Sequence, residues 1–252
     1  MDELKHDAVD AVASRPRDPA AHLQRARVHR LAEEWPTALA ELGRAESLGA
    51  DADEVGALRA AVLLDAGQAE SALREIDRVL ARRPDAAGLR FERGRICLAL
   101  GQTEQAAREF GDAIAALPAP RPEHVMARRD ALLAIGRRAD ALLALDEGMA
   151  RVGRVASLQL AAVELEVELG RYDGALRRLD QLLAPRPNPA WVARRGDILA
   201  RAGRRDAARA EYTRALALLE GRSGKRPAKG FDELRRRLEF ELHSASTQEA
   251  KQ

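Results

Sequence analysis

Alanine stands at Ala38, Ala72, Ala106, Ala141, Ala175 and Ala208, with successive members 33 to 35 residues apart. A fixed period of that size marks a stacked repeat, and it constrains the fold more than any other feature of the chain. Other columns keep the same register. A turn column reads Glu33, Gly67, Gly101, Gly136, Gly170 and Gly203, and a large-residue column reads Leu42, Ile76, Phe110, Leu145, Leu179 and Tyr212. A terminating column reads Pro16, Ala50, Pro84, Pro118, Gly153, Pro187 and Glu220. The stretch Ala87 to Pro118 shows one unit in full. Leu89, Ile96, Cys97 and Leu100 share one helical face, and Ala106, Phe110, Ala113, Ile114 and Leu117 make a second stripe. Gly101 lies between them where a left-handed residue ends a helix, and Pro118 stops the second helix. One hairpin cannot bury both faces, but stacked copies bury one another.

On the first helices a close-approach column reads Ala26, Ala60, Gly94, Arg129, Val163 and Gly196. Small residues let helices cross closely, and the large residue one turn after the alanine column fills the space between units. These residues at this period resemble the tetratricopeptide repeat (TPR) family, with six repeats, an N-terminal half-repeat helix and a C-terminal capping helix. The resemblance implies an all-α fold, an α-solenoid in which antiparallel helix hairpins wind into a right-handed superhelix. It further implies that the first helices line a concave groove for peptides or partner proteins. Arg129 and Val163 depart from the small-residue pattern, and Glu166 occupies a usually apolar face. With the stiff linker Pro118 to Pro122, they lead us to expect a bend near repeat four.

The expected organisation is a half-repeat or capping helix over 1–16 and six repeats over 17–220. The repeats fall at about 19–50, 53–84, 87–118, 122–153, 156–187 and 189–220. A basic Gly/Pro loop (221–229) leads to a capping helix (230–245) with Phe231, Leu234 and Leu238 on one face, and a disordered tail (246–252) follows.

Hydrophobic residues make up 46% of the 252 but aromatics only 3%, so the core must be built from Ala and Leu, as suits helices. The net charge of +2, from 42 basic and 40 acidic residues, does not call for a nucleic-acid partner. Cys97 is the one cysteine and lies on an apolar stripe, where it reads as a small hydrophobe. The five histidines lack zinc-ligand spacing, and no phosphate-binding loop, dinucleotide fingerprint or serine nucleophile elbow occurs. The expectation is a non-enzyme without catalytic residues, metal or cofactor. No apolar run is long enough to span a membrane. As written the protein reads as soluble and cytoplasmic. A periplasmic location follows instead if a signal peptide once preceded the first helix.

Arg25, Arg59, Arg93, Arg128 and Arg195 share one repeat position, and sixteen residues on stand Glu41, Glu75, Glu109, Ala144 and Glu211. Repeat five reverses the pattern with Ala162 and Arg178. Two readings are open: a structural ion-pair ladder, or an arginine-lined groove for an acidic ligand. The resemblance places Leu23, Arg27, Arg30, Leu58, Phe91, Arg95, Met126, Asp130, Leu160, Glu164, Glu168, Arg194, Asp197 and Arg201 along the groove. Some relatives clamp a chaperone's C-terminal carboxylate, but the matching positions here are Leu23, Arg27, Leu58, Gly88 and Glu92, so the clamp is absent. The expected function is a protein–protein interaction scaffold that holds a partner protein or extended peptide in the groove. Self-assembly into homo-oligomers is one alternative. Binding of nucleic acid or anionic membrane by the basic C-terminal segment is another, although few aromatics and interleaved acids weaken it.

Overall fold

A computed structural model describes residues 15–184, 187–220 and 230–249. The expected half-repeat helix lies outside these residues except for its last two, as do the basic loop and residues 250–252. Thirteen α-helices and no strand occur among the described residues. They fall into two compact units divided between Ala144 and Leu145.

The first unit contains α1 (Pro19–Leu31), α2 (Trp35–Ser47), α3 (Ala52–Asp65), α4 (Ala69–Arg82), α5 (Ala87–Ala99), α6 (Thr103–Ala116) and α7 (Pro122–Ala134). The helix α8 (Arg138–Val152) begins in this unit and ends in the second. The second unit continues with α9 (Ala156–Glu168), α10 (Tyr172–Leu183), α11 (Pro189–Arg201), α12 (Arg205–Glu220) and α13 (Gly230–Glu249). The last helix runs four residues into the expected tail. Ser246 to Glu249 contain no helix breaker, which corrects the tail reading there.

Local chemistry sets the helix starts. Asp18 and Asn188 accept hydrogen bonds from the backbone N–H of Ala20 and Ala190, each at 2.9 Å, and each precedes a proline that needs no N–H partner. Asp51 caps α3 by accepting from the N–H groups of Asp53 and Glu54. Within hairpins the turn column takes positive φ throughout. The five glycines lie between 71° and 77°, and Glu33 lies at 60°.

The repeat columns are the core. In the first unit Leu23, Ala26, Ala38, Leu42, Val55 and Leu58 form one buried cluster, and Ala60, Ala72, Ile76 and Ile96 belong to the next. Partner sizes are matched across each crossing. A Cβ on Gly94 would come within 2.6 Å of the Phe110 ring, and one on Gly196 within 2.5 Å of Tyr212. Where the second-helix residue is Leu42 or Ile76, the facing residue is Ala26 or Ala60, and all four are buried. In the second unit Val163 takes the close-approach position and is buried in one cluster with Leu179, Val192, Tyr212 and Leu238. The last helix covers that cluster with Leu238, fully buried, and with Leu234 and Leu242 packed against it. The side chain of Phe231 lies outside the described residues.

Candidate partner-binding surface

Three members of the arginine column, Arg59, Arg93 and Arg195, are held by carboxylates on both sides. Arg59 on α3 reaches Glu46 of the preceding helix at 2.6 Å and Glu75 of the following one at 3.7 Å. Arg93 pairs likewise with Asp77 (2.7 Å) and Glu109. Arg195 pairs with Asp180 and Glu211, each at 2.8 Å. At the head of the ladder the Glu41 carboxylate is buried and engaged three times, by His22 Nδ1 at 2.6 Å, Arg44 at 2.8 Å and Arg25 at 3.7 Å. Arg128, whose column partner is Ala144, lies over Gly111, where a Cβ would sit 3.2 Å from its Nε. The guanidinium groups of Arg59, Arg93 and Arg195 staple three successive helices and are not aimed at a ligand. Of the two readings, the structural ladder is the one with partners in place.

The sequence-predicted groove residues divide by environment. In the first unit Leu23 and Leu58 are packed in the core, so they offer no exposed anchor. Arg27 and Arg30 pair with Glu54 (2.6 Å) and Asp65 (2.8 Å), and Arg95 pairs with Glu92 of its own helix (2.8 Å). Asp130 is exposed and takes the guanidinium of its neighbour Arg129 at 2.5 Å, which is how an arginine is accommodated in the small-residue column. Phe91 and Met126 are half-buried. The Phe91 ring lies 4.9 Å from that of Phe110 and 4.5 Å from the imidazole of His124. Burial, then the nearby Arg121 charge, holds the His124 pKa below its ordinary value. The neutral ring accepts a hydrogen bond from the Arg121 N–H at 3.1 Å, at the start of α7. Burial also pushes the Cys97 thiol up, in keeping with an inert packing role.

In the second unit Leu160, Glu164 and Glu168 follow i, i+4, i+8 along α9, and Arg194, Asp197 and Arg201 follow i, i+3, i+7 along α11. Leu160 is half-buried against the core, and the two glutamates are exposed. Asp197 is already engaged. It accepts a hydrogen bond from the Tyr212 hydroxyl at 3.0 Å, and Arg237 of the last helix stands 3.3 Å away. Burial and the Asp197 charge raise the Tyr212 pKa, so the phenol stays a donor. Glu164, Arg194 and Arg201 have no ion-pair or hydrogen-bond partner for their side chains among the described residues. Sequence reasoning missed the engagement of Asp197, because Arg237 comes from outside the repeats and Tyr212 stands in the large-residue column, where it reads as a packing residue.

Two family models match the chain. One described as a tetratricopeptide repeat-like domain covers residues 139–232, and one described as a tetratricopeptide repeat covers residues 58–122. Among solved structures the chain is similar to a tetratricopeptide repeat protein from Parabacteroides merdae (15% identity, 93% of this chain and 90% of that one, TM-score 0.51). It is also similar to PilF of Pseudomonas aeruginosa (17% identity, 81% and 92%, TM-score 0.54). A third likeness is to the APC/C hetero-tetramer Cut9–Hcn1 (13% identity, 94% and 46%, TM-score 0.54). At such identities the likeness speaks for the fold alone. No curated protein matches the chain significantly. The aligned columns, the paired helices and both family models agree that this chain belongs to the tetratricopeptide repeat family.

Proposed function

We propose that this protein is a non-catalytic scaffold that holds a partner protein, or an extended segment of one, along the exposed stripes of its first helices. Tetratricopeptide repeats serve in general as protein–protein interaction scaffolds. The observation that carries the reading here is a contrast in charge pairing. Arg25, Arg59, Arg93 and Arg195 of the ladder are engaged by carboxylates, whereas Glu164 on α9 and Arg194 and Arg201 on α11 stand without partners among the described residues. Glu164 one turn from the half-buried Leu160 on α9, with Arg194 and Arg201 on α11, suits a partner that carries complementary charges and an apolar side chain. With few aromatic anchors on these stripes, a short peptide would bind at about micromolar strength, roughly 8 kcal/mol.

The test is quantitative capture from the source cell with wild type and with Glu164→Arg/Arg201→Glu, each checked for helicity. Loss of a partner in the double variant with the fold intact is the expected result. Identical partners from both proteins would remove these stripes from the account.

A further inference from the structure

Repeat five departs from its neighbours at two buried positions of α9. The column containing Glu166 holds His29, Leu63, Cys97, Leu132 and Leu199 in other repeats, and that containing Gln159 holds His22, Gly56, Arg90 and, in the adjacent repeats, Val125 and Val192. Both side chains are more than nine-tenths buried. Seven residues apart, they lie on one stripe of the helix. At about 100° per residue, that stripe is roughly opposite the one bearing Glu164 and Glu168. Here the second unit has a cleft of about 430 Å³ whose lining includes Gln159, Glu166, Arg154, Arg177, Arg178 and Met149.

The cleft follows from the reversed ladder. Arg178 takes over the guanidinium role from the second helix of the hairpin. It forms a two-pronged contact with Asp146, 2.8 and 2.9 Å, and its Nε lies 3.1 Å from Glu166 Oε2. Glu166 fits because position 174 is glycine, since a Cβ there would lie 2.5 Å from Glu166 Oε1. The floor is thus a charge triad in which Glu166 Oε2 and Arg178 Nε are buried and meet as an ion pair without hydrogen-bond geometry. Gln159 is different. It forms no side-chain hydrogen bond with any described residue, although His22, at the same position in repeat one, is satisfied by Glu41 (2.6 Å) and the Pro16 carbonyl (3.1 Å). With the rest of the side chain buried and the residue lining the cleft, the amide donors and acceptor are left available to an external partner there. At the rim Arg154 and Arg177 are exposed and have no partner among the described residues.

We infer that this cleft is a second binding site, distinct from the first-helix stripes, that takes a carboxylate carried by a peptide segment. Arg154 and Arg177 grip the carboxylate oxygens, and the Gln159 amide meets the adjacent peptide group. Counted over the lining, Arg154, Arg177 and Arg178 against Asp146 and Glu166 leave one positive charge, which matches a monoanion. Two fixed carboxylates at the floor oppose a second negative charge, which argues for a carboxylate over a phosphate. Planar guanidinium groups bind a carboxylate through paired hydrogen bonds, and the Met149 side chain supplies an apolar wall.

The experiment is NMR titration of the full chain, following the Gln159 side-chain amide and the arginine Nε–H signals. The probes are acetyl-Ala-Glu-Glu-Ala-amide, acetyl-Ala-Ala-Ala-Leu with a free terminus, a phosphoserine peptide and a neutral glutamine peptide. The inference expects saturable, salt-sensitive shifts at Gln159, Arg154 and Arg177 with a carboxylate probe. The blocked glutamate peptide and the free-terminus peptide distinguish a side-chain from a chain-terminal carboxylate. Arg154→Ala/Arg177→Ala, both at exposed unpaired positions, should weaken binding at least tenfold, Gln159→Met should weaken it without loss of fold, and Glu164→Arg should leave it unchanged. Tighter binding of the phosphoserine peptide, equal response to the neutral peptide, or no shift at these residues with millimolar probe would overturn it. Loss of the response in Glu164→Arg would assign the peptide to the first-helix stripes and would also overturn it.

Discussion

At Glu33 the backbone takes φ +60°, in a turn column that glycine fills at Gly67, Gly101, Gly136, Gly170 and Gly203. A side chain in the left-handed region costs about 1–2 kcal/mol, part of which glycine returns through its freer unfolded chain. Glu33→Gly should therefore raise the stability of the protein by about 1 kcal/mol, read from chemical denaturation. An unchanged or lower midpoint would show that the first turn is not strained. Residue by residue, what the sequence displayed were positions whose demand is local, such as the turn glycines and the close approach of Gly94 to Phe110. The placement of Leu23 and Leu58 was not legible. A helix with apolar residues over a wide arc shows its period, but not which edge of the arc the next helix covers.

Repeats two, three and six each carry one guanidinium between carboxylates, and repeat five keeps that device with the arginine moved to its second helix. The ladder was visible in the sequence as a coincidence, glutamate occurring only where arginine does. Of its second set of partners on preceding helices, Asp77 and Asp180 stand five residues after the alanine column, as does Asp146. Glycine fills that position at Gly43 and Gly111 and Glu46 lies outside it, so the column is broken and stayed hidden. The reversal has an energetic consequence. Glu166 is buried, so deleting Arg178 leaves a carboxylate with no opposite charge beside it. Arg178→Met should cost about 3–5 kcal/mol, and adding Glu166→Leu should recover most of the loss. Thermal or urea unfolding of the two single variants and the double variant measures the coupling. Strictly additive losses would mean that the pair does not act as a unit. Gln159 went unremarked in sequence because a lone glutamine in a helix is ordinary. Only its burial, with no side-chain hydrogen bond to any described residue, makes it unusual.

Over the whole chain, the 33-to-35-residue period accounts for both compact units, although they are divided within α8. The period specifies packing and leaves the charge on the outer stripes free to vary, so the fold could be read from sequence while the partner could not. The second unit stands out at this scale. Glu164 on α9 and Arg194 and Arg201 on α11 have no partner among the described residues, and the reversed ladder with its cleft lies on the other side of α9. The most direct test of the scaffold reading is photocrosslinking in the source cell. A benzophenone amino acid is placed in turn at position 164 and at Arg108, an exposed site on α6. The account predicts a discrete crosslinked partner from position 164 and none from position 108. The same product from both positions, or a product only from 108, would contradict it.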